Sequence, residues 1–409
     1  MMKTCLFKYA SYFLLAILVA GCASGGGMRS SGSGVGPSLG AVIGAKKGTL
    51  VSHEFSGLSL LIPVFDPNIP DDPAKYAASG IWPELRRTEA NRFAVSIQDL
   101  LIDSKVFESV RVMPTSEATA SLFVLGKIIT SNGEDVAVQV SVEGIDGKSY
   151  LNKVYKHRVD EYSINDPRRS GADIYRPIFV DISEDIISLT TSLKESNRAD
   201  LKGIENIRFA AAFQPEYFGS YIKKSRSNKY SLVSYPDASD ESFRRILDLK
   251  LKDQMFIDEI QNDYSDFNEK STIPYSKWQE AAFVESKAAR EAKNRANTKM
   301  MLGILGAVAG AAIAGNSSPY SSGAYTGAAV AAVGVAAMVS SVGDSKEAKM
   351  HKESLDELGK SLNVEIAPTV MKLEDREVEL VGTAQEQYVA WRKFLFEYYE
   401  LEKTPNIQL

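Results

Sequence analysis

Residues 58–65 read LSLLIPVF, an apolar run of strand length that ends in the loop DPNIPDDP. The period then changes from strand to helix. Over residues 83–105, Leu85, Phe93, Ile97, Leu100 and Leu101 fall on one face at helical spacing, which predicts a single long amphipathic helix. Strand period returns at 107–113, 120–129, 136–142 (VAVQVSV) and 149–159, with Asn132-Gly133 and Asp146-Gly147 as hairpin turns between strands. The predicted order across 49–160 is strand, helix, then four strands. The fold class is therefore α+β, opening with a small α/β sandwich.

Residues 175–299 read as a mainly helical region, interrupted by one extended piece at 229–235. Its last part, 280–299, is polar and Ala-rich and ends in Arg290, Lys293, Arg295 and Lys299. Residues 300–343 then carry no charge at all. Gly306, Gly310 and Ala314 fall four apart on one predicted apolar helix that also holds Gly303, and Gly323 and Gly327 fall four apart at the entry to a second that holds Gly334, the two joined by the polar turn 316–322 (NSSPYSS). Small residues four apart let helix backbones approach closely, so these positions are the candidate packing residues of a Gly/Ala-rich helical hairpin. The two helices, 300–315 and 324–342, would span about 24 and about 28 Å, suited to a thin membrane. Burial of the same hairpin in a soluble bundle is the alternative. Lys346, Lys349, His351 and Lys352 place a second basic cluster beyond it, facing headgroups or water. The remainder, 344–409, reads as a returning helix followed by a small β-β-α unit. Its strands fall at 364–366 and 378–381 around an acidic turn, and Thr383 and Glu386 form a capping box for a helix carrying Tyr388, Trp391, Leu395 and Tyr398.

The N-terminus changes the picture from a globular chain to an exported one. Residues 1–21 carry Lys3 and Lys8, then an apolar run too short to span a membrane, then Val19-Ala20-Gly21 before Cys22. Such a signal peptide with a lipobox makes Cys22 the lipidation site, because the acyl-glyceryl group is attached through a thiol. The covalent lipid is the only cofactor expected. Ala23 and Ser24 follow with no Asp, as in lipoproteins sorted to the outer membrane. Residues 22–48 are rich in Gly and Ser and predict a lipid anchor and flexible tether. Cleavage removes Cys5, so Cys22 is the one cysteine of the mature chain and no internal disulfide can form.

The whole chain has 409 residues, 44% apolar and 24% charged, enough for a substantial core. Removing residues 1–21 leaves 45 basic against 52 acidic residues, a formal charge of −7, which argues against a nucleic-acid partner. His53, His157 and His351 lie far apart without metal-ligand spacing, so no metal is expected. No nucleophile elbow, P-loop or dinucleotide fingerprint occurs, and the carboxylates Asp66, Asp71, Asp72, Asp258, Glu259 and Asp263 read as loop caps and solvated helix faces. A non-enzymatic role follows as the expectation. Trp82, in the loop Ile81-Trp82-Pro83, is the candidate partner contact.

Two resemblances sharpen these expectations. The run Pro63-Val64-Phe65, the helix positions Phe93, Ala94, Ile97, Leu100 and Leu101, the turn at 105–110 (KVFESV) and the strand at 123–128 (FVLGKI) resemble the periplasmic domain of curli-export (CsgG-like) lipoproteins and of lipoproteins that activate peptidoglycan synthases. The transmembrane β-hairpins of the curli exporter have no counterpart here. Residues 300–343 resemble the glycine-zipper segment of bacterial outer-membrane lipoproteins. Together these imply an outer-membrane lipoprotein facing the periplasm. It would be a homo-oligomer acting as an accessory or channel-forming part of an export or envelope-assembly system, with secretion or envelope proteins as partners. Two alternatives stay open: a regulatory lipoprotein that binds peptidoglycan or an envelope enzyme, and a pore-forming protein that uses the apolar hairpin.

Overall fold

The computed structural model describes residue 35 and residues 57–76, 81–165, 173–311, 369–373 and 376–403. The order expected for the first region is found. Strand β1 (Ser59–Pro63) is followed by α1 (Pro83–Asp103), β2 (Ser109–Met113), β3 (Leu122–Ser131), β4 (Asp135–Gly144) and β5 (Ser149–Arg158). They form one mixed sheet of order β2-β1-β3-β4-β5, with β1 parallel to both β2 and β3, and β3, β4 and β5 an antiparallel meander. Parallel pairing of β1 with β2 requires a crossover, and α1 supplies it. Pro83 opens α1, and Leu85, Phe93, Ile97 and Leu101 are buried as predicted.

Between β3 and β4, Asn132 Oδ1 accepts from the amides of Glu134 and Asp135, and Gly133 turns with φ +87°. Gly133 has a second duty. A Cβ there would lie 2.5 Å from the backbone nitrogen of Phe283, so the glycine is what lets a distant helix press on this turn.

The helical region comprises α2 (Arg176–Ser192), α3 (Glu195–Phe213), α4 (Glu241–Glu259) and α5 (Gln261–Ala311). Helix α2 lies against α1 through Phe179, whose ring is 4.9 Å from that of Phe93. Helix α3 reaches β1 through a hydrogen bond from Ser59 to Glu205. The core is continuous from Leu58 to Tyr399 and takes in Val35, whose carbonyl accepts a 2.6 Å hydrogen bond from Arg208, so the Gly/Ser tether touches the folded body at this point.

The extended piece expected at 229–235 is half of a hairpin. Strand β6 (Ile222–Lys224) pairs with β7 (Tyr230–Leu232); three residues directly after a helical turn leave no period to read. A second correction concerns residue 300, where a new apolar helix was expected to begin. Helix α5 is continuous for 51 residues, about 76 Å, and runs through Gly303, Gly306 and Gly310 to Ala311. The Ala-rich stretch KAAREAKNRANTK before it contains no Gly, Pro or cap to stop a helix. Residues 312–343, with the turn and the second apolar helix, lie outside the described residues, as do Cys22 and the strand expected at 364–366.

At the C-terminal end β8 (Thr369–Leu373) pairs with β9 (Arg376–Leu380), and α6 (Ala384–Lys403) follows. The capping box forms as expected. Glu386 N donates to Thr383 Oγ1 at 3.2 Å, and Thr383 N donates to Glu386 Oε2 at 2.8 Å. Tyr388, Trp391, Leu395 and Tyr398 are the buried face of α6.

Candidate functional site

The structure places Gly303, Gly306 and Gly310 in the final turns of α5, with Gly306 and Gly310 one turn apart on one face. Cys22, Ala314, Gly323, Gly327 and Gly334 lie outside the described residues. Trp82 is half-buried at the N-cap of α1 and packs against the core. Among the described residues no helix is long and apolar enough to cross a membrane, and no group of three His, Cys, Asp or Glu residues is placed to hold a metal ion.

What the sequence did not announce is a set of charges inside the protein. Glu205 of α3 is fully buried. Its Oε1 accepts from Lys250 of α4 at 2.5 Å, and its Oε2 accepts from the hydroxyls of Ser59 and Ser121. Lys250 also donates to Asn206 Oδ1 at 2.6 Å, and Asn206 donates to the Tyr235 hydroxyl. Burial alone would raise the Glu205 carboxyl, but Lys250 and Lys202 together hold it down at about 2. Burial pulls Lys250 below its ordinary value, against the attraction of Glu205. The geometry favours the ionised pair, because both carboxylate oxygens are occupied by donors. Groups so fully engaged join α3, α4 and the sheet and leave no free proton acceptor for chemistry.

A second cluster sits where α5 crosses α1. Glu89 Oε1 accepts from the hydroxyls of Ser131 and Tyr275, the latter at 3.0 Å. Its Oε2 is buried with no hydrogen-bond partner, and the nearest cation is Arg86 at 3.8 Å. Burial raises the Glu89 carboxyl, opposed by Arg86 and the two hydroxyls and reinforced by Asp173. Arg92 donates to the Asn268 carbonyl, Ser271 and Thr272, stacks 4.6 Å from the Tyr275 ring, and lies 3.7 Å from Asp173. Gln279 donates to Asp173 at 2.7 Å. Beside Glu89 Oε2, four more atoms of this cluster are buried without a hydrogen-bond partner: Arg92 Nε, Asp173 Oδ2, Asn268 Oδ1 and Gln279 Oε1.

A third cluster fixes α6. Asp253 of α4 is buried 3.4 Å from Arg392, and burial raises its carboxyl despite that cation. The Arg392 guanidinium in turn lies over the rings of Phe209, Phe213 and Phe396. The one signal for these groups was positional. Glu205 and Arg208 fall four and seven residues after Leu201, on the face that the surrounding apolar residues mark as buried.

Compared with protein families, curated proteins and solved structures, the chain finds no match in any of the three.

Proposed function

We propose that this chain is a non-enzymatic outer-membrane lipoprotein, anchored through Cys22 and facing the periplasm. Its α/β body would be of the curli-export type, coupled to a membrane-embedded Gly/Ala hairpin in a homo-oligomer that serves export or envelope assembly. The observation that carries this reading is helix α5. It is rooted in the body at Gln261, where the side-chain amide pairs with both the N–H and the C=O of Val112, and it continues unbroken into the apolar stretch. One continuous helix therefore joins the body to the candidate membrane segment. The buried charges favour the same reading over an enzymatic one, since the best-engaged of them act as struts.

The test uses a full chain exported by an ordinary cleavable signal peptide and carrying Cys22→Ser, so that neither lipid nor leader can anchor it. It is expected to stay in the membrane pellet through alkaline carbonate. In the same background Gly306→Leu with Gly310→Leu should keep membrane attachment but lose the large detergent-solubilised particle, because Leu blocks close helix approach without lowering hydrophobicity. Release of the Cys22→Ser chain by carbonate would refute the inserted hairpin and favour a regulatory lipoprotein held by its lipid alone.

A further inference from the structure

Helix α5 meets the body through two kinds of contact. At its root the packing is apolar, with Ile260, Tyr264 and Phe267 buried, and Gln261 seals the edge of β2. From Asn268 outward the contacts are largely polar. Asn268, Ser271, Thr272 and Tyr275 meet Arg92 or Glu89, and Gln279 meets Asp173. Ser286 donates to the Asn132 carbonyl, Lys287 pairs with Glu161, and Arg290 pairs with Glu134. The apolar part of this stretch is the buried Tyr275 ring with the half-buried Trp278 stacked on it, and Ala282 and Phe283 pressed on Gly133. Pro274 lies inside the polar stretch, just beyond the Arg92 contacts at Asn268, Ser271 and Thr272; it has no N–H to give the carbonyl four residues back, so the helix is weakest there.

We propose that α5 beyond Pro274 is a detachable arm, docked on α1 and the β3-β4 turn through a polar seam that opens about the proline while the Gln261 root stays fixed. A docked helix buried in apolar side chains cannot leave without exposing them to water. A helix held largely by hydroxyls, amides and ions exchanges each such bond for one to water, so opening costs mainly the exposure of Tyr275, Ala282 and Phe283. Glu89 Oε2, Asp173 Oδ2 and Gln279 Oε1, which face or belong to the part beyond Pro274, already lack hydrogen-bond partners and gain them from water on opening.

Glu89 sets the pH at which the seam opens. It is faced by Arg86 of its own helix, by Asp173 and Tyr175 of the segment leading to α2, by Ser131 of β3 and by Tyr275 of α5, on whose ring Arg92 is stacked. In the docked state its carboxyl is raised above the ordinary 4.5; in the open state water returns it toward that value. The docked state then binds more protons, so docking is strongest below the ordinary carboxylate range. It weakens as pH climbs from there to the raised docked value, above which it changes no further. Opening is thus favoured on the alkaline side. That the arm carries a membrane segment rests on the function proposed above; that the seam opens does not.

Hydrogen exchange on the full-length protein tests this at about pH 5 and about pH 8, each corrected for intrinsic rates. Amides of residues 275–292 are expected to exchange about tenfold or more faster than those of α2, and the gap should widen at the higher pH. Glu89→Gln keeps the acceptor, removes the charge and should abolish the widening. Pro274→Ala restores the missing donor and should slow exchange of 275–292 without changing α2. Protection of 275–292 equal to that of α2 in the wild type would overturn the arm. A pH response unchanged in Glu89→Gln would overturn Glu89 as its control, and unaltered exchange in Pro274→Ala would overturn the hinge. None of these readouts involves a membrane, so the arm and the inserted hairpin can fail separately.

Discussion

Arg92 and Phe93 are neighbours in sequence, and α1 turns them toward two helices held by opposite chemistry. Phe93 packs against α2, where Ile178, Phe179, Ile182 and Ile186 are all no more than 1% exposed. Arg92 meets α5, where its partners are a carbonyl, two hydroxyls and the face of the Tyr275 ring, and it lies 3.7 Å from Asp173 in the segment leading to α2. The difference teaches what each contact is for. Apolar burial gains about 25 cal/mol per Å² and is lost in full when the surface separates, so α2 belongs to the cooperative core. Hydrogen bonds trade protein for water at a net value of about 1 kcal/mol each, so the polar contacts specify the direction and register of α5 and add less to the cost of releasing its outer part than an apolar seam would.

The comparison breaks most visibly at Phe179. Phe179→Ala removes a ring from the tightest part of the α1/α2 contact and should cost about 3–5 kcal/mol of global stability. Denaturant unfolding measures it, and the loss should appear in the midpoint with every probe together. A shift confined to probes on α2 would mean that this helix too is a separable element.

Arg92→Met sharpens the same comparison from the polar side. The change keeps the stem length but removes three hydrogen bonds and the approach to Asp173. Asp173 keeps its bond from Gln279. The expected cost is about 1–3 kcal/mol, felt as faster exchange in residues 268–290 with a smaller change in the global midpoint. A loss as large and as global as that of Phe179→Ala would show that α5 folds as one piece with the core.

How much of this was legible in the sequence follows the same division. Periodicity found β1, α1 and the meander within a few residues, because the apolar face that makes a strand or helix also declares it. The turn at Asn132-Gly133 and the cap at Thr383 and Glu386 were legible because a short-range bond made by particular residue types defines each. The seam was not legible. Asn268, Ser271, Thr272, Gln279 and Ser286 look like an exposed face, and only their partners, many of them more than a hundred residues away, show that they are the docked one. Glu205 and Lys250 escaped for a related reason. Each sits on an amphipathic helix where a single charge among apolar neighbours carries little weight, and their pairing is a long-range fact. The continuity of α5 past residue 300 escaped because a change in composition there leaves the backbone helix unbroken.

The smallest effect is expected at the far end of the seam, and it separates electrostatic docking from the hydrogen bonds nearer the root. Arg290 forks onto Glu134 through Nε at 2.8 Å, with a second nitrogen at 2.7 Å, and the attraction raises its guanidinium above the ordinary value. The pair lies at the edge, where water and salt reach the arginine. Arg158 stands near enough to oppose Arg290, although it is itself bound to Asp135 by two bonds. Arg290→Ala should therefore leave the unfolding midpoint nearly unmoved and speed exchange of residues 286–292 only at low ionic strength. At salt concentrations that shorten the Debye length to a few ångströms, wild type and variant should converge. Convergence at every ionic strength would show that the Arg290 ion pair contributes nothing and that Ser286, Lys287 and the Phe283 contact with Gly133 hold this end. A difference that persists at high salt would instead place the Arg290 contact among the buried bonds, and the seam would then be sealed along its whole length.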